Sequence, residues 1–123
     1  MVKDQKRWRL HKYFTKGKFC FLIGVDNWSI ELKKDEFFSL YKLLQRINKQ
    51  LLDISNQLMD EESITLELEQ LPWYIKLEGK KNEWSLRFVF ESQEQTRSFE
   101  MYWPIQIAQN LFFEIKKMWE SLD

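Results

Sequence analysis

Two short stretches lead into the helical patterns of this chain: WSIEL, Trp28–Leu32, and RSFEM, Arg97–Met101. At an offset of 69 they carry serine and glutamate at matching positions, and apolar residues match Ile30 and Leu32. Alternation of apolar and polar residues is typical of a half-buried strand. Each stretch therefore predicts a strand that is followed closely by a helix.

The two helical patterns also share their spacing. We expect the first helix over about Asp35–Met59, with Asp35 as its cap, and the second over about Pro104–Ser121. At an offset of 68, six apolar residues coincide: Phe37 with Ile105, Leu40 with Ala108, Leu44 with Phe112, Ile47 with Ile115, Leu51 with Trp119, and Ile54 with Leu122. This predicts two strands-plus-helix repeats, about 7–60 and 61–123. The alternative is that there is no repeat, and that two unrelated amphipathic helices have the same apolar spacing because this spacing is common.

Period-two segments predict the remaining strands. They begin at Trp8–Leu10, include a hairpin over 19–32 that turns at Asp26-Asn27, and continue over 64–68, 73–77, 84–90 and 99–101. Runs of strands followed by a helix predict an α+β fold, with antiparallel sheets packed on two long helices. The heptad-like spacing favours helix-on-helix packing, within the chain or with a partner subunit.

Composition excludes several classes of protein. A chain of 123 residues fits one domain, and it has no apolar run long enough to cross a membrane, so we expect a soluble, cytoplasmic protein. One cysteine and one histidine exclude an internal disulfide and a cysteine-rich metal site. Three glycines are too few for a phosphate-binding loop. We therefore expect no cofactor, no metal, no small-molecule substrate and no enzymatic activity.

Each residue that could act as a nucleophile, a general base or a metal ligand also has a simple structural explanation. Cys20 lies between Phe19 and Phe21, which predicts a packed thiol on a strand. His11 stands between basic residues, which predicts a solvated or phosphate-facing side chain rather than a general base. The acidic cluster Asp60-Glu61-Glu62 is expected to form a solvated loop, although such oxygens also suit magnesium. Because acids at a helix C-terminus oppose the macrodipole, a nearby cation is expected to offset them.

Charge is segregated although 19 basic residues balance 19 acidic ones. Residues 3–18 contain seven bases and one acid, whereas residues 53–69 contain six acids and no base. Either the two regions meet inside the fold or each faces a different partner.

The outward positions of the second set of strands suggest a binding surface. In the period-two register they include Tyr74, Lys76, Ser85, Arg87, Ser98 and Tyr102. Interleaved aromatic and basic groups are what single-stranded nucleic acid requires, since bases stack on rings and phosphates contact cations. We expect stacking on Tyr74 and phosphate contacts from Arg9, Lys16, Lys18, Lys76 and Arg87, with single-stranded DNA or RNA as partner. The alternative is a protein-interaction or assembly module, including a homo-oligomer. Such a module would act through the helix seam, which is the row of apolar residues that the two helices share, and through the acidic corner, which is the cluster Asp60-Glu61-Glu62.

Three stretches resemble a family of small uncharacterised cyanobacterial proteins: GVDNWSIEL, QLMDEESITLELE and EWSLRFVF. The resemblance implies a fold like that of the Whirly single-stranded-DNA-binding transcriptional regulators, which contain two strands-plus-helix repeats. Lys16-Gly17-Lys18 is similar to the start of the Whirly lysine-glycine-lysine-alanine-alanine motif, although Phe19-Cys20 replace the alanines. The resemblance implies that Lys16 and Lys18 serve DNA binding and assembly.

Overall fold

A computed structural model of the chain describes residues 2–5, 7–14, 17–94 and 96–122. The elements follow in the order β1 (Val2–Asp4), β2 (Trp8–Lys12), β3 (Phe21–Val25), β4 (Trp28–Leu32), α1 (Lys34–Ser55), β5 (Ile64–Gln70), β6 (Trp73–Lys80), β7 (Glu83–Glu91), β8 (Ser98–Trp103) and α2 (Ile105–Glu120). Strands β1–β4 form one antiparallel sheet and strands β5–β8 form a second, each in sequential order.

The predicted fold class is wrong. The described residues form two four-stranded antiparallel sheets and two helices, and 41% of these residues are in strands. The architecture is therefore not a set of sheets packed on two long helices. Helix α2 has only 16 residues, and it packs most extensively on β7. Helix α1 packs on β5, and to a similar extent on β6 and on α2. The heptad-like spacing favoured helix-on-helix packing; the two helices do contact each other, but the strands cover more of both helices.

The core consists mainly of large side chains from the two sheets. Trp73, Trp103, Phe88 and Phe90 are almost completely buried, and they pack against one another with ring centroids 4.5–6.1 Å apart. The repeats about 7–60 and 61–123 stay a prediction, because an order of four strands and a helix in each half does not establish that the halves superpose.

Helix α1 begins and ends earlier than predicted. Lys33, not Asp35, precedes the helix, and its backbone N–H donates to Glu36 Oε1 at 2.9 Å. The helix ends at Ser55 rather than Met59, and Leu58 still packs against the core from the turn that follows. In this turn the Leu58 N–H donates to the backbone oxygen of Ser55 at 3.2 Å.

The buried stripe of α2 is wider than the six-residue spacing that it shares with α1. Ala108 and Ile115 of that spacing are buried, and so are Ile107, Leu111 and Met118, which lie outside it. Ile105, which the sequence placed on the seam, is exposed. Helix α2 packs more extensively on β7 than on α1, so a strand rather than the other helix is its main packing partner.

The two regions of opposite charge do not pair with each other in the described contacts. In the amino-terminal region, Lys3 on the edge strand β1 pairs with Glu114 of α2 at 2.7 Å, and Arg7 pairs with Asp26 at 2.9 Å. Strand β1 was not predicted, because three residues without an apolar alternation give no signal of their own.

Candidate functional site

The structure brings Tyr74, Lys76 and Arg87 together on the outer face of the second sheet. Lys76 and Arg87 are register partners on adjacent strands, and Tyr74 lies two residues before Lys76 on the same face. Their role in nucleic-acid binding stays a prediction.

The electrostatics of this face oppose a phosphate backbone. Side chains on the outer face include six glutamates and three basic residues: Glu67, Glu69, Glu78, Glu83, Glu91 and Glu100, against Lys76, Lys80 and Arg87. Lys76 Nζ lies 3.9 and 4.0 Å from the carboxylates of Glu67 and Glu78, and the Arg87 guanidinium lies 5.3 Å from the ring centroid of Tyr102. An incoming phosphate would meet net negative charge, which disfavours its approach.

The remaining predicted site residues do not join that face. Arg9 belongs to the first sheet, where its guanidinium donates to the backbone oxygens of Asp26 and Trp28 at 3.3 and 3.0 Å. This guanidinium lies so close to Gly24 that a Cβ there would overlap it. Arg9 therefore braces the β3–β4 hairpin. Lys16 lies outside the described residues, and Lys18 is exposed beside a cleft.

That cleft lies where the segment before β3, the start of α1 and the end of α2 meet. We call it the aromatic–lysine cleft, and its volume is about 640 Å³. The residues that line it are Gly17, Lys18, Cys20, Lys33, Lys34, Asp35, Phe38 and Trp119.

Aromatic rings form one wall of the cleft. Phe38 and Trp119 stack with centroids 4.8 Å apart, and Tyr41 lies beside both rings at 6.3 and 6.1 Å. Trp119 also contacts Phe37 in the core, with centroids 6.3 Å apart. Phe38 is 38% exposed, which leaves ring surface open to the solvent. Burial against the core holds the cluster in place while one side remains accessible.

A hydrogen bond fixes the tyrosine of this cluster. Tyr41 Oη donates to Glu120 Oε2 at 2.7 Å, and this bond raises the pKa of the phenol above its ordinary 10.0. The bond joins α1 to the end of α2, so it helps to hold Trp119 against Phe38.

Lysines surround the aromatic wall. Lys18, Lys33 and Lys34 line the cleft, and Lys42 Nζ lies 5.2 Å from the ring centroid of Phe38. Asp35, the one acid among the lining residues, accepts a hydrogen bond from the Glu36 N–H at 3.0 Å. The positive end of the α1 dipole lies at the same place. The cleft therefore combines stacking surface with ammonium groups, of which Lys33 Nζ lies 3.7 Å from the carboxylate of Glu94.

Cys20 lies in the wall of this cleft. It precedes β3 rather than lying in a strand, so the predicted strand position is wrong. It is half-buried and packs against the hydrophobic core, so the predicted packing is confirmed. Its backbone oxygen accepts a bond from the Tyr13 N–H at 2.8 Å. The thiol faces no histidine among the residues that line the cleft.

Sequence reasoning missed the aromatic wall. It placed Trp119 on a buried helix seam, and it passed over Phe38 because Phe37 filled the seam position. The segment KKDEFF, 33–38, contained a signal for an exposed aromatic ring. Two adjacent residues of a helix point in different directions, and Phe38 is the exposed member of the pair.

The acidic corner has cations of its own. Lys81 Nζ lies 3.1 Å from Asp60 Oδ1, and Lys80 pairs with Glu61. Lys81 also donates to the backbone oxygen of Leu58 at 3.0 Å. These lysines lie at the end of β6 and in the turn after it, and they offset the acidic cluster. The predicted conflict with the helix macrodipole is absent, because α1 ends at Ser55 and not beside Asp60. Among the described residues, no three histidine, cysteine or carboxylate side chains are placed to hold a metal ion.

The comparisons with known proteins place the chain in a family. Residues 3–118 match the family model described as a domain of unknown function, DUF1818. The chain belongs to the DUF1818 family. The comparison with curated proteins found no match.

A crystal structure of another protein is closely similar to this DUF1818 chain. It is a crystal structure from Prochlorococcus sp. NATL2A, described as a protein with unknown function from the DUF155 family. The TM-score is 0.88 at 34% sequence identity, over 97% of this chain and 98% of that chain. The expected resemblance to an uncharacterised cyanobacterial family is confirmed at that level, whereas the comparisons do not show a Whirly-like fold. Within the described part of the chain, neither helix is long and apolar enough to span a membrane.

Proposed function

We propose that this chain is a non-enzymatic binding module and that single-stranded nucleic acid binds in the aromatic–lysine cleft. The observation that carries the proposal is the stacked, partly exposed pair Phe38 and Trp119 with Lys18, Lys33 and Lys34 around it. Unpaired bases stack on aromatic rings, at about 1–3 kcal/mol per base, and ammonium groups contact phosphates. This moves the expected binding surface away from Tyr74, Lys76 and Arg87.

The dimensions of the cleft favour a short piece of strand. Its volume of about 640 Å³ is within the range of small-ligand sites, which is room for a few nucleotides at most. Duplex should bind less well, because paired bases cannot present their faces to Phe38. Lysines that contact phosphates act on any sequence, so we expect little sequence preference.

A direct test compares the cleft with the sheet. Fluorescence anisotropy with a labelled single-stranded oligonucleotide at low salt should show binding that weakens in Lys34→Ala. Lys76→Ala on the outer face of the second sheet should bind like the natural chain. Lys49→Ala is the matched control, since Lys49 is an exposed lysine of α1 that does not line the cleft. A loss of binding in Lys76→Ala with none in Lys34→Ala would place the site on the sheet instead. Absence of binding in low salt at tens of micromolar would reject the proposal.

A further inference from the structure

A second concave surface lies on the outer side of the sheet β5–β8. Leu71, Pro72, Tyr74 and Val89 form its apolar walls, and we call it the acid-rimmed groove. Its volume is about 400 Å³, and Leu71 in the β5–β6 turn is 70% exposed. This is room for one large apolar side chain.

Glutamates surround this groove. Glu69 and Glu91 line it, and Glu100 lies in the same cross-strand row as Tyr74 and Val89. No described cation forms an ion pair with any of these three carboxylates, in contrast to Glu67 and Glu78 beside Lys76. An occupant that brings an apolar side chain flanked by positive charge would match both the walls and the rim.

The chain itself carries such a segment. Phe14 follows β2 and is 74% exposed, and Lys12 Nζ lies 4.9 Å from its ring centroid. The segment 12–18 contains three lysines and no acidic residue. Phe14 does not line the groove of its own chain, so a contact between the two needs a second copy.

We propose that copies of this chain associate head to tail, with Phe14 of one copy seated in the acid-rimmed groove of the next. The net positive charge of the segment that carries Phe14 then lies near Glu69 and Glu91 of the neighbouring copy. The contact is heterologous, because each copy contributes a different surface to each interface, so association produces a ring or an open chain. This inference goes beyond the proposed function and does not depend on it.

The contact should be weak and sensitive to salt. One aromatic side chain buries about 150–250 Å², far below the 1,200–2,000 Å² or so of a stable interface. The charges lie at the rim, where salt screens them. We therefore expect association that depends on protein concentration and is reduced by added salt.

Complementation between two variants tests this arrangement. Phe14→Ala lacks the inserted side chain but keeps the groove, whereas Glu69→Lys/Glu91→Lys repels the lysines but keeps Phe14. By sedimentation velocity, each variant alone should remain monomeric at concentrations at which the natural chain associates. An equal mixture should form dimers and nothing larger, because such a dimer has no second usable surface.

The controls distinguish this contact from non-specific association through exposed apolar residues. Leu52→Ala shortens another exposed apolar side chain, on α1, that belongs to neither surface, and this variant should associate like the natural chain. Circular dichroism establishes that each variant is folded. Association of Phe14→Ala equal to that of the natural chain would overturn the proposal. So would a mixture that stays monomeric, or a natural chain that stays monomeric up to about 1 mM.

Discussion

Arg97 and Glu36 form an ion pair that joins the β7–β8 segment to the first turn of α1. Arg97 Nη1 donates to Glu36 Oε1 and Oε2 at 2.9 and 2.8 Å, and Nη2 donates to the backbone oxygen of Glu31 at 2.6 Å. The guanidinium also lies 4.7 Å from the ring centroid of Phe19. Because the Glu36 carboxylate also accepts the Lys33 N–H, one buried acid both caps the helix and ties the two halves of the chain together.

Replacing this arginine should destabilise the fold strongly. The side chains of Arg97 and Glu36 are 27% and 8% exposed, so Arg97→Met leaves a nearly buried carboxylate without its cation. Loss of one partner of a buried pair costs about 3–5 kcal/mol of unfolding free energy. Urea unfolding measures this cost. Arg87→Met, at an exposed arginine above Tyr102, is the control and should cost less than about 1 kcal/mol. Equal losses in the two variants would contradict the structural role of Arg97.

Leu44 should be a core position of α1. It is 2% exposed, and Leu44→Ala should lower the free energy of unfolding by about 2–5 kcal/mol through lost burial and the cavity that remains. Leu52→Ala on the same helix should change it by about 0.5 kcal/mol or less, since Leu52 is 61% exposed. Chemical denaturation of both variants gives the comparison, and a similar cost at the two sites would argue against the described orientation of α1.

Stability should depend on pH through Glu114. The hydrogen bond from Lys3 lowers the pKa of this carboxyl below its ordinary 4.5 in the folded chain. A lowered folded pKa stabilises the fold above the ordinary value, and this stabilisation is lost as the pH falls through the folded pKa. Glu114→Gln should therefore be less stable than the natural chain at pH 7, by about 1 kcal/mol or less, and this difference should disappear as the pH falls through the folded pKa of Glu114.

Thermal unfolding across this pH range provides the measurement. Glu62→Gln is the control, since Glu62 is exposed and forms no ion pair with a described residue. Its difference from the natural chain should stay small at every pH. A Glu114→Gln difference that grows as the pH falls would have the wrong sign for the Lys3 contact.

Lysine and aromatic variants of the cleft should differ in salt dependence. Lys34→Ala should make the slope of log affinity against log salt shallower by about 0.7, the value per neutralised phosphate for single strands. Phe38→Ala should weaken binding by about 1–3 kcal/mol and leave the slope nearly unchanged, because stacking releases no counterion. Anisotropy titrations at several salt concentrations measure both. An unchanged slope in Lys34→Ala would mean that this lysine does not contact phosphate.

Binding should also change the fluorescence of the cleft. Trp119 stacks on Phe38, so a base placed on this pair should quench the tryptophan emission. A Trp119→Phe variant keeps an aromatic wall and should lose most of the ligand-induced change while it still binds. Quenching that persists in Trp119→Phe would come from another tryptophan and would place the ligand elsewhere.

Local patterns predicted much of the secondary structure. The hairpin that turns at Asp26-Asn27 is present, and Trp8 and Ile75 are buried as their period-two patterns indicate. The candidate site was harder to predict. Tyr74, Lys76 and Arg87 do share one face, but the glutamates of the neighbouring strands decide the charge of that face, and strand order and register determine which of them lie there.

The sequence by itself determined which segments form strands and which form helices, because the period of the apolar residues follows from the backbone geometry of each element. Only the tertiary structure decided which apolar stripe of α2 is buried, since that depends on the strand against which the helix packs. It also brought Lys18, Phe38 and Trp119 into one cleft from three distant parts of the chain. Contacts at such separations leave no periodic signal, because they depend on how whole elements pack and not on the spacing within any of them.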